Sequence, residues 1–319
     1  MTALNSLISA FGSNIVRRTD VVNFIASSGV QAAAVYKILN QFKVGHGQYQ
    51  FTKERSSVSS ISAAFQAAPV EISDSEIADN ISSRFQTLSL MTNASVKGIN
   101  RSMIVSGPGG LGKSYTVLKA IETLPEERVI TIKGFVRPTG LYHTLYNYRH
   151  KGCVVVFDDC DSIFSDETAL NLLKAACDSS EKRRLMWLSA RNLEVDGEEL
   201  PSVFDFEGTV IFITNLDFDA NIQKGSKLAP HFEAMISRSH YIDLGIKTKR
   251  DYIVRIKQVA PTMLRDMPQE LADEIVGFID TNQNNMRELS LRMVKKLADL
   301  VSVDKQNWKL LAKTTCMKV

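Results

Sequence analysis

No stretch of the sequence stays apolar for the roughly 18 residues that a membrane-crossing helix needs, which excludes a helical span. Cysteine is scarce. The four present, Cys153, Cys160, Cys177 and Cys316, include no pair at the C-x2-C spacing of a zinc or redox site. The first three fall in apolar segments, as small buried hydrophobes do. A basic-then-apolar leader is missing too, so the expectation is a protein of a reducing cytoplasm. Asn93-Ala94-Ser95 matches a glycosylation triplet, which carries no meaning without export. Charge of one sign is not in excess: the net value is +3, so any surface for nucleic acid must be local. No internal repeat is present, which excludes a solenoid. With 319 residues, 44% of them hydrophobic, the chain is expected to fold into about two domains.

Against these absences stands Gly107-Pro108-Gly109-Gly110-Leu111-Gly112-Lys113-Ser114, a match to G-x-x-x-x-G-K-[ST]. Residues 102–106 before it read as a buried strand, and the segment from Tyr115 onward reads as a helix. Glycines in such a loop let successive backbone N–H groups turn onto phosphate oxygens. Lys113 can reach the β and γ oxygens, and the Ser114 hydroxyl can complete the shell of a Mg²⁺ ion. The pattern points to bound nucleotide, with Tyr115 next to it on the helix.

Further strands are expected at 129–132, 154–157, 210–214 and 240–244, with helical patterns between most of them, which calls for a parallel sheet covered on both faces. The strand Val154-Val155-Val156-Phe157 ends in Asp158-Asp159. Asp158 is the candidate Mg²⁺ ligand with Ser114, and Asp159 the candidate to polarise the attacking water. Val210-Ile211-Phe212-Ile213-Thr214 leads into Asn215, whose amide would emerge on the same carboxyl edge and orient the water. Arg238 comes just before the strand at 240–244 and is expected at that edge, placed to reach a phosphate bound by a neighbouring subunit.

Over residues 76–315 this order of parts resembles the AAA+ ATPase family. Gly107 to Ser114 looks like Walker A, Val154 to Asp159 like Walker B, and Thr214-Asn215 like sensor 1. Arg238 looks like the arginine finger, and Arg287, at the start of a lid helix, like sensor 2, with Arg292 the competing choice on the same helix. The resemblance implies ATP and Mg²⁺ bound between the core and lid of one protomer and the arginine of the next, in a homo-oligomeric, usually hexameric ring. One departure stands out: Asp159 occupies the place of the family's glutamate and is one methylene shorter, which implies slow hydrolysis or a longer path to the water.

The implied organisation is an α/β P-loop AAA+ core with a parallel five-stranded sheet (76–246), an all-helical lid (247–319), a Ser/Ala-rich linker (54–75) and a small winged-helix-like module (1–53). In that module Asp20 offers a helix start, a second helix is expected at 32–42, and residues 44–51 read as extended, with His46 in the wing. Residues 1–55 carry six basic against two acidic residues, a lean towards DNA, although such modules also dock proteins. Between 178 and 208 two apolar-aromatic segments flank Asp196-Gly197, the pattern of an inserted β-hairpin, and its place resembles the pre-sensor 1 hairpin of DNA motors. Gly134-Phe135-Val136-Arg137 resembles pore loop 1, where aromatic residues grip polypeptide and basic ones track phosphates; this loop has one of each. The expected partner is therefore DNA, with a protein client as the other reading. Compact size and a basic module joined to a minimal motor look like phage or mobile-element members of the family, which implies the host cytoplasm.

Overall fold

A computed structural model describes residues 3–11, 15–28, 35, 42–45, 48–50, 72–189, 193–195 and 197–318. The chain divides into two compact units, Met1–Glu71 and Ile72–Val319.

The described residues of the first unit form α1 (Ala3–Phe11), β1 (Ile15–Arg17), α2 (Arg18–Ser28), β2 (Lys43–Gly45) and β3 (Gln48–Gln50). The strands make an antiparallel sheet in the order β1-β3-β2. Asp20 fixes the start of α2 by accepting from the Arg17 N–H at 2.8 Å. Leu7, Val16, Val21, Val35 and Tyr49 form a small core. Neither α1 nor β1 is among the elements expected from the sequence. The helix expected at 32–42 lies outside the described residues apart from Val35 and Phe42; so do His46 and the linker up to residue 71.

In the second unit α3 (Asp74–Val96) starts at Ser73, whose hydroxyl accepts from the Glu76 N–H. Five strands follow, β4 (Ser102–Ser106), β5 (Val129–Lys133), β6 (Val154–Asp158), β11 (Thr209–Thr214) and β12 (His240–Asp243), all parallel in the order β12-β4-β11-β6-β5. These are the five the sequence leads one to expect. The β-branched runs of β6 and β11 are buried on both sides, as a doubly covered sheet requires. Alternate residues serve different layers: Val154 and Val156 face a core with α3 and α4 (Lys113–Ile121), while Val155 and Phe157 face one with α5 (Pro138–Asn147) and α6 (Glu167–Ala176). Phe157 and Phe212 stack across β6 and β11 with centroids 5.5 Å apart.

The segment between α6 and β11 holds nested antiparallel pairs: β7 (Arg184–Met186) with β10 (Val203–Asp205), and β8 (Leu193–Val195) with β9 (Glu198–Leu200). Gly197 takes the turn at φ +83°, where the Asp-Gly pair suggests it. The hairpin base is held by Arg183, which is buried and donates to the carbonyls of Ala176 and Gly208. Trp187 lies against Tyr142 at 5.7 Å, so this side chain does pack on the core. Between β11 and β12 run α7 (Phe218–Gln223) and α8 (Ala229–Arg238).

Four helices complete the unit: α9 (Lys249–Met263), α10 (Gln269–Thr281), α11 (Leu291–Val303) and α12 (Trp308–Cys316). They enclose a core of their own, in which Trp308 is buried. A Thr248/Asp251 capping box opens α9, and the Ser290 hydroxyl caps α11. Among the described residues no helix is long and apolar enough to cross a membrane. Phe212 is the keystone of the sheet's aromatic layer, so Phe212→Ala should cost about 3–5 kcal/mol in urea unfolding. The same truncation of exposed Phe135 should cost under about 0.5 kcal/mol.

Candidate functional site

Gly107 to Gly112 connect the carboxyl end of β4 to α4, so the loop lies where backbone N–H groups and a helix N-terminus face the same space. Gly112 caps α4 at φ +101°, a left-handed conformation that favours glycine. A Cβ on Gly110 would stand 2.9 Å from that of Ser290, so the lid approaches as closely as it does only because this residue has none. The first amide of α11, Leu291 N–H, donates to the Gly110 carbonyl at 2.8 Å.

Lys113 is buried, and its ammonium is held by loop carbonyls, including Pro108 at 2.8 Å, and by Asn215 Oδ1 at 2.9 Å. Burial draws its pKa down to about 8; Asp159, Asp158 and Asp161 oppose the shift and Arg292 adds to it. The other end of the Asn215 amide, Nδ2, donates to Asp159 Oδ1 at 2.9 Å. The cation on one side and the carboxylate on the other fix which way the amide points. Asp159 sits at φ +55°, an uncommon backbone for a residue other than glycine, and its N–H donates to the Ile213 carbonyl at 3.0 Å.

Ser114 Oγ donates to Asp158 Oδ1 at 2.7 Å, and Lys133 Nζ stands 3.2 Å from Asp158 Oδ2. A hydroxyl and a carboxylate converging here are hard oxygen donors on the phosphate side of the loop. They fit Mg²⁺, which takes few protein ligands and completes its shell with water and phosphate oxygens. Half-buried Asp161 accepts from the Thr214 hydroxyl at 2.5 Å, and burial pushes its carboxyl pKa up.

The loop opens into a cleft of about 730 Å³ lined by Gly109, Gly110, Gly112, Lys113, Ser114 and Tyr115 on one side and by α9 and α11 on the other. Arg255 and Arg292 enter it from the lid. The Arg255 guanidinium lies 3.5 Å from the Phe85 ring centroid, and burial lowers its pKa to about 10. This volume is in the range of small-molecule sites.

Two expected positions differ. Arg287 is not at the start of a helix: Ser290 caps α11, so residues 287–289 precede it, and the Arg287 N–H donates to the Cys316 carbonyl. Arg287 lines a neighbouring hollow with Pro108 and Gly109, whereas Arg292, inside the first turn of α11, lines the cleft itself. Arg238 is not at the carboxyl edge. Because β12 runs parallel to β4, its start at His240, opposite Met103, lies at the amino edge; there the Arg238 carbonyl accepts from Ser102 Oγ and its guanidinium pairs with Asp178 at 3.5 Å. Sequence reasoning missed Lys133, Phe85 and Arg255. Only the register that sets Lys133 opposite Asp158 would have disclosed the first.

The sequence is 39% identical over 253 residues to an uncharacterized 36.7 kDa protein from the nrdC-mobD intergenic region of Enterobacteria phage T4, covering 76% of each chain. It belongs to that phage protein's family. No protein-family model matches. The parallel five-stranded sheet, with the loop between β4 and α4 facing an acid-ended strand and a helical C-terminal region beyond, agrees with the α/β fold class expected from the sequence. Among solved structures, similarity extends to the Thermotoga maritima RuvB Holliday junction branch migration motor (15% identity, TM-score 0.41, 71% of this chain and 63% of that one). Domain III of the Thermotoga maritima replication initiation protein DnaA also matches (15%, TM-score 0.40, 71% and 84%), as does Brucella abortus NtrX in complex with ATP (11%, TM-score 0.43, 69% and 51%). The matched region thus spans less than two thirds of the RuvB and NtrX chains.

An anion beside Lys113 favours its charged form, so the pKa rises on binding. Nucleotide affinity should be full below pH about 8 and fall as the pH rises above it, with proton uptake on binding between pH about 8 and 9, read by calorimetry in buffers of different ionisation enthalpy. Affinity independent of pH from about 7 to 9.5 would refute this electrostatic role. Lys113→Ala should abolish binding.

Proposed function

We propose that the chain is an ATPase that binds ATP with Mg²⁺ in the cleft, hydrolyses the β–γ bond as a homo-oligomer, and uses the cycle to remodel or translocate nucleic acid in the host cytoplasm. The observation that carries the first part is the chain of contacts Lys113–Asn215–Asp159 beside the Ser114–Asp158 pair. A cation, an amide and a carboxylate so linked suit a γ-phosphate held by the loop. Asp159 accepts a hydrogen bond from the attacking water and draws off its proton, Asn215 holds Asp159 and the water in line, and Lys113 offsets charge on the phosphoryl oxygens. Mg²⁺, which Ser114 and Asp158 would hold, would supply charge neutralisation at the phosphates. Arg292 is the lid arginine best placed to touch the nucleotide. Arg238, on the opposite edge from its own loop, supports an assembly in which another copy completes the site.

Nucleic acid as the substrate is supported by the basic excess of residues 1–55 and by exposed Phe135 followed by Arg137 after β5. A protein client is the second reading, favoured by one observation. The distal pair β8–β9 carries Glu194 and Glu199, which would repel phosphates if this hairpin met the substrate.

Asp159→Asn should bind ATP and lose about 10²–10⁴-fold in turnover; an unchanged rate would transfer the base role, with Asp161 next in line. Arg238→Ala should retain ATP binding and lose about a thousandfold in turnover, whereas retained turnover would sink the shared site. DNA should stimulate hydrolysis and bind more weakly as salt rises from about 50 to 200 mM. Stimulation by a protein client with no response to DNA would favour the second reading.

A further inference from the structure

Both oxygens of the Asp158 carboxylate are engaged, one by Ser114 and the other by the ammonium of Lys133. Asp158 is buried, while the Lys133 side chain is 62% exposed and reaches in from the last position of β5. The sheet register places the two residues opposite each other, so the contact follows from the fold and not from a chance rotamer. A divalent cation on Ser114 and Asp158 and an ammonium on the same carboxylate repel one another and compete for its charge.

Of the residues between Lys133 and α5, Gly134, Phe135 and Arg137 are exposed and Val136 packs on the core. Gly134 sits at φ +94° with nothing around a would-be Cβ, Phe135 is 74% exposed, and α5 does not begin until Pro138. Lys133 therefore joins the acid at the phosphate site to an exposed segment carrying an aromatic and a basic side chain.

We infer that Lys133 is a positioning residue that occupies the metal's carboxylate in the metal-free state, lowers the affinity for Mg²⁺, and is released, with residues 134–137, when Mg²⁺ and nucleotide bind. In the converse direction, a ligand that holds Lys133 away from Asp158 through this segment strengthens metal binding, as linkage requires. The inference rests on the reading of Ser114 and Asp158 as the metal pair, and its test separates the two.

Mg²⁺ affinity is measured by titrating the full-length chain saturated with ADP, and amide exchange across residues 133–137 is followed with ADP alone and with Mg²⁺ added. Lys133→Met, which keeps most of the stem and removes the charge, should bind Mg²⁺ roughly fivefold more tightly, the scale of a partly exposed ion pair. Lys133→Arg should stay near the parent value. In the parent, Mg²⁺ should speed exchange of the 133–137 amides, and in Lys133→Met these amides should already exchange fast and respond little. Asp158→Asn is the control for the underlying site. If it weakens Mg²⁺ binding while Lys133→Met leaves affinity and exchange as in the parent, the role of Lys133 is overturned and the metal pair stands. If Asp158→Asn leaves Mg²⁺ affinity unchanged, the metal pair itself is wrong and the inference falls with it.

Discussion

The rest of the site is arranged around one ammonium taken out of water. Lys113 is buried and sits among loop carbonyls and the Asn215 oxygen, which partly replace its hydration. A buried cation is tolerated only where such dipoles and nearby carboxylates offset the desolvation, and Asp158, Asp159 and Asp161 lie close enough to contribute. Carbonyl dipoles hold the charge without neutralising it, so the loop is stable enough to fold and still favours an anionic ligand.

That arrangement depends on strand register. Three adjacent strands, β4, β11 and β6, end within a residue of a common level, so the loop after one, the amide after the next and the acids at the end of the third meet at one edge of the sheet. The flanking strand β5 adds Lys133 by the same logic. Apolar runs buried on both faces hold the register, because sliding a strand by one residue would exchange the side chains between its two covering layers. Precision at the site is thus supplied by Val, Ile and Phe residues within the sheet, remote from the loop's phosphate-facing side.

How much of this the amino-acid order discloses depends on how local each feature is. The phosphate loop, the Asp158-Asp159 strand end, Asn215 and the Asp-Gly turn of the insertion are consecutive residues whose backbone chemistry is legible in place, and the alternation of buried runs gives the sheet. Features fixed by distant partners were not legible. The preference for Arg287 over Arg292 rests on a helix start at Arg287, and the Ser290 cap puts that start beyond it. The edge occupied by Arg238 follows from the direction of β12, and the stacking of Arg255 on Phe85 joins α9 to α3 across much of the chain. In α1 the apolar residues Leu4, Leu7, Ile8 and Phe11 do fall at helical spacing, so that helix was legible in place, whereas the three residues of β1 are too few to distinguish from loop. The short carboxylate at Asp159, read as a handicap, occurs together with a left-handed backbone that itself turns the residue, so side-chain length alone is a poor guide to its reach.

The bond from the Leu291 amide to the Gly110 carbonyl makes the lid and the phosphate loop parts of one latch. Any rocking of the helical bundle that unseats α11 must release both groups, and it must also draw the Ser290 side chain away from a glycine that leaves it no slack. The freed carbonyl and the helix-end amide would then face the cleft at the moment of opening. Any displacement of the helical bundle would therefore be felt directly by the loop backbone, through the residue that has no side chain to yield.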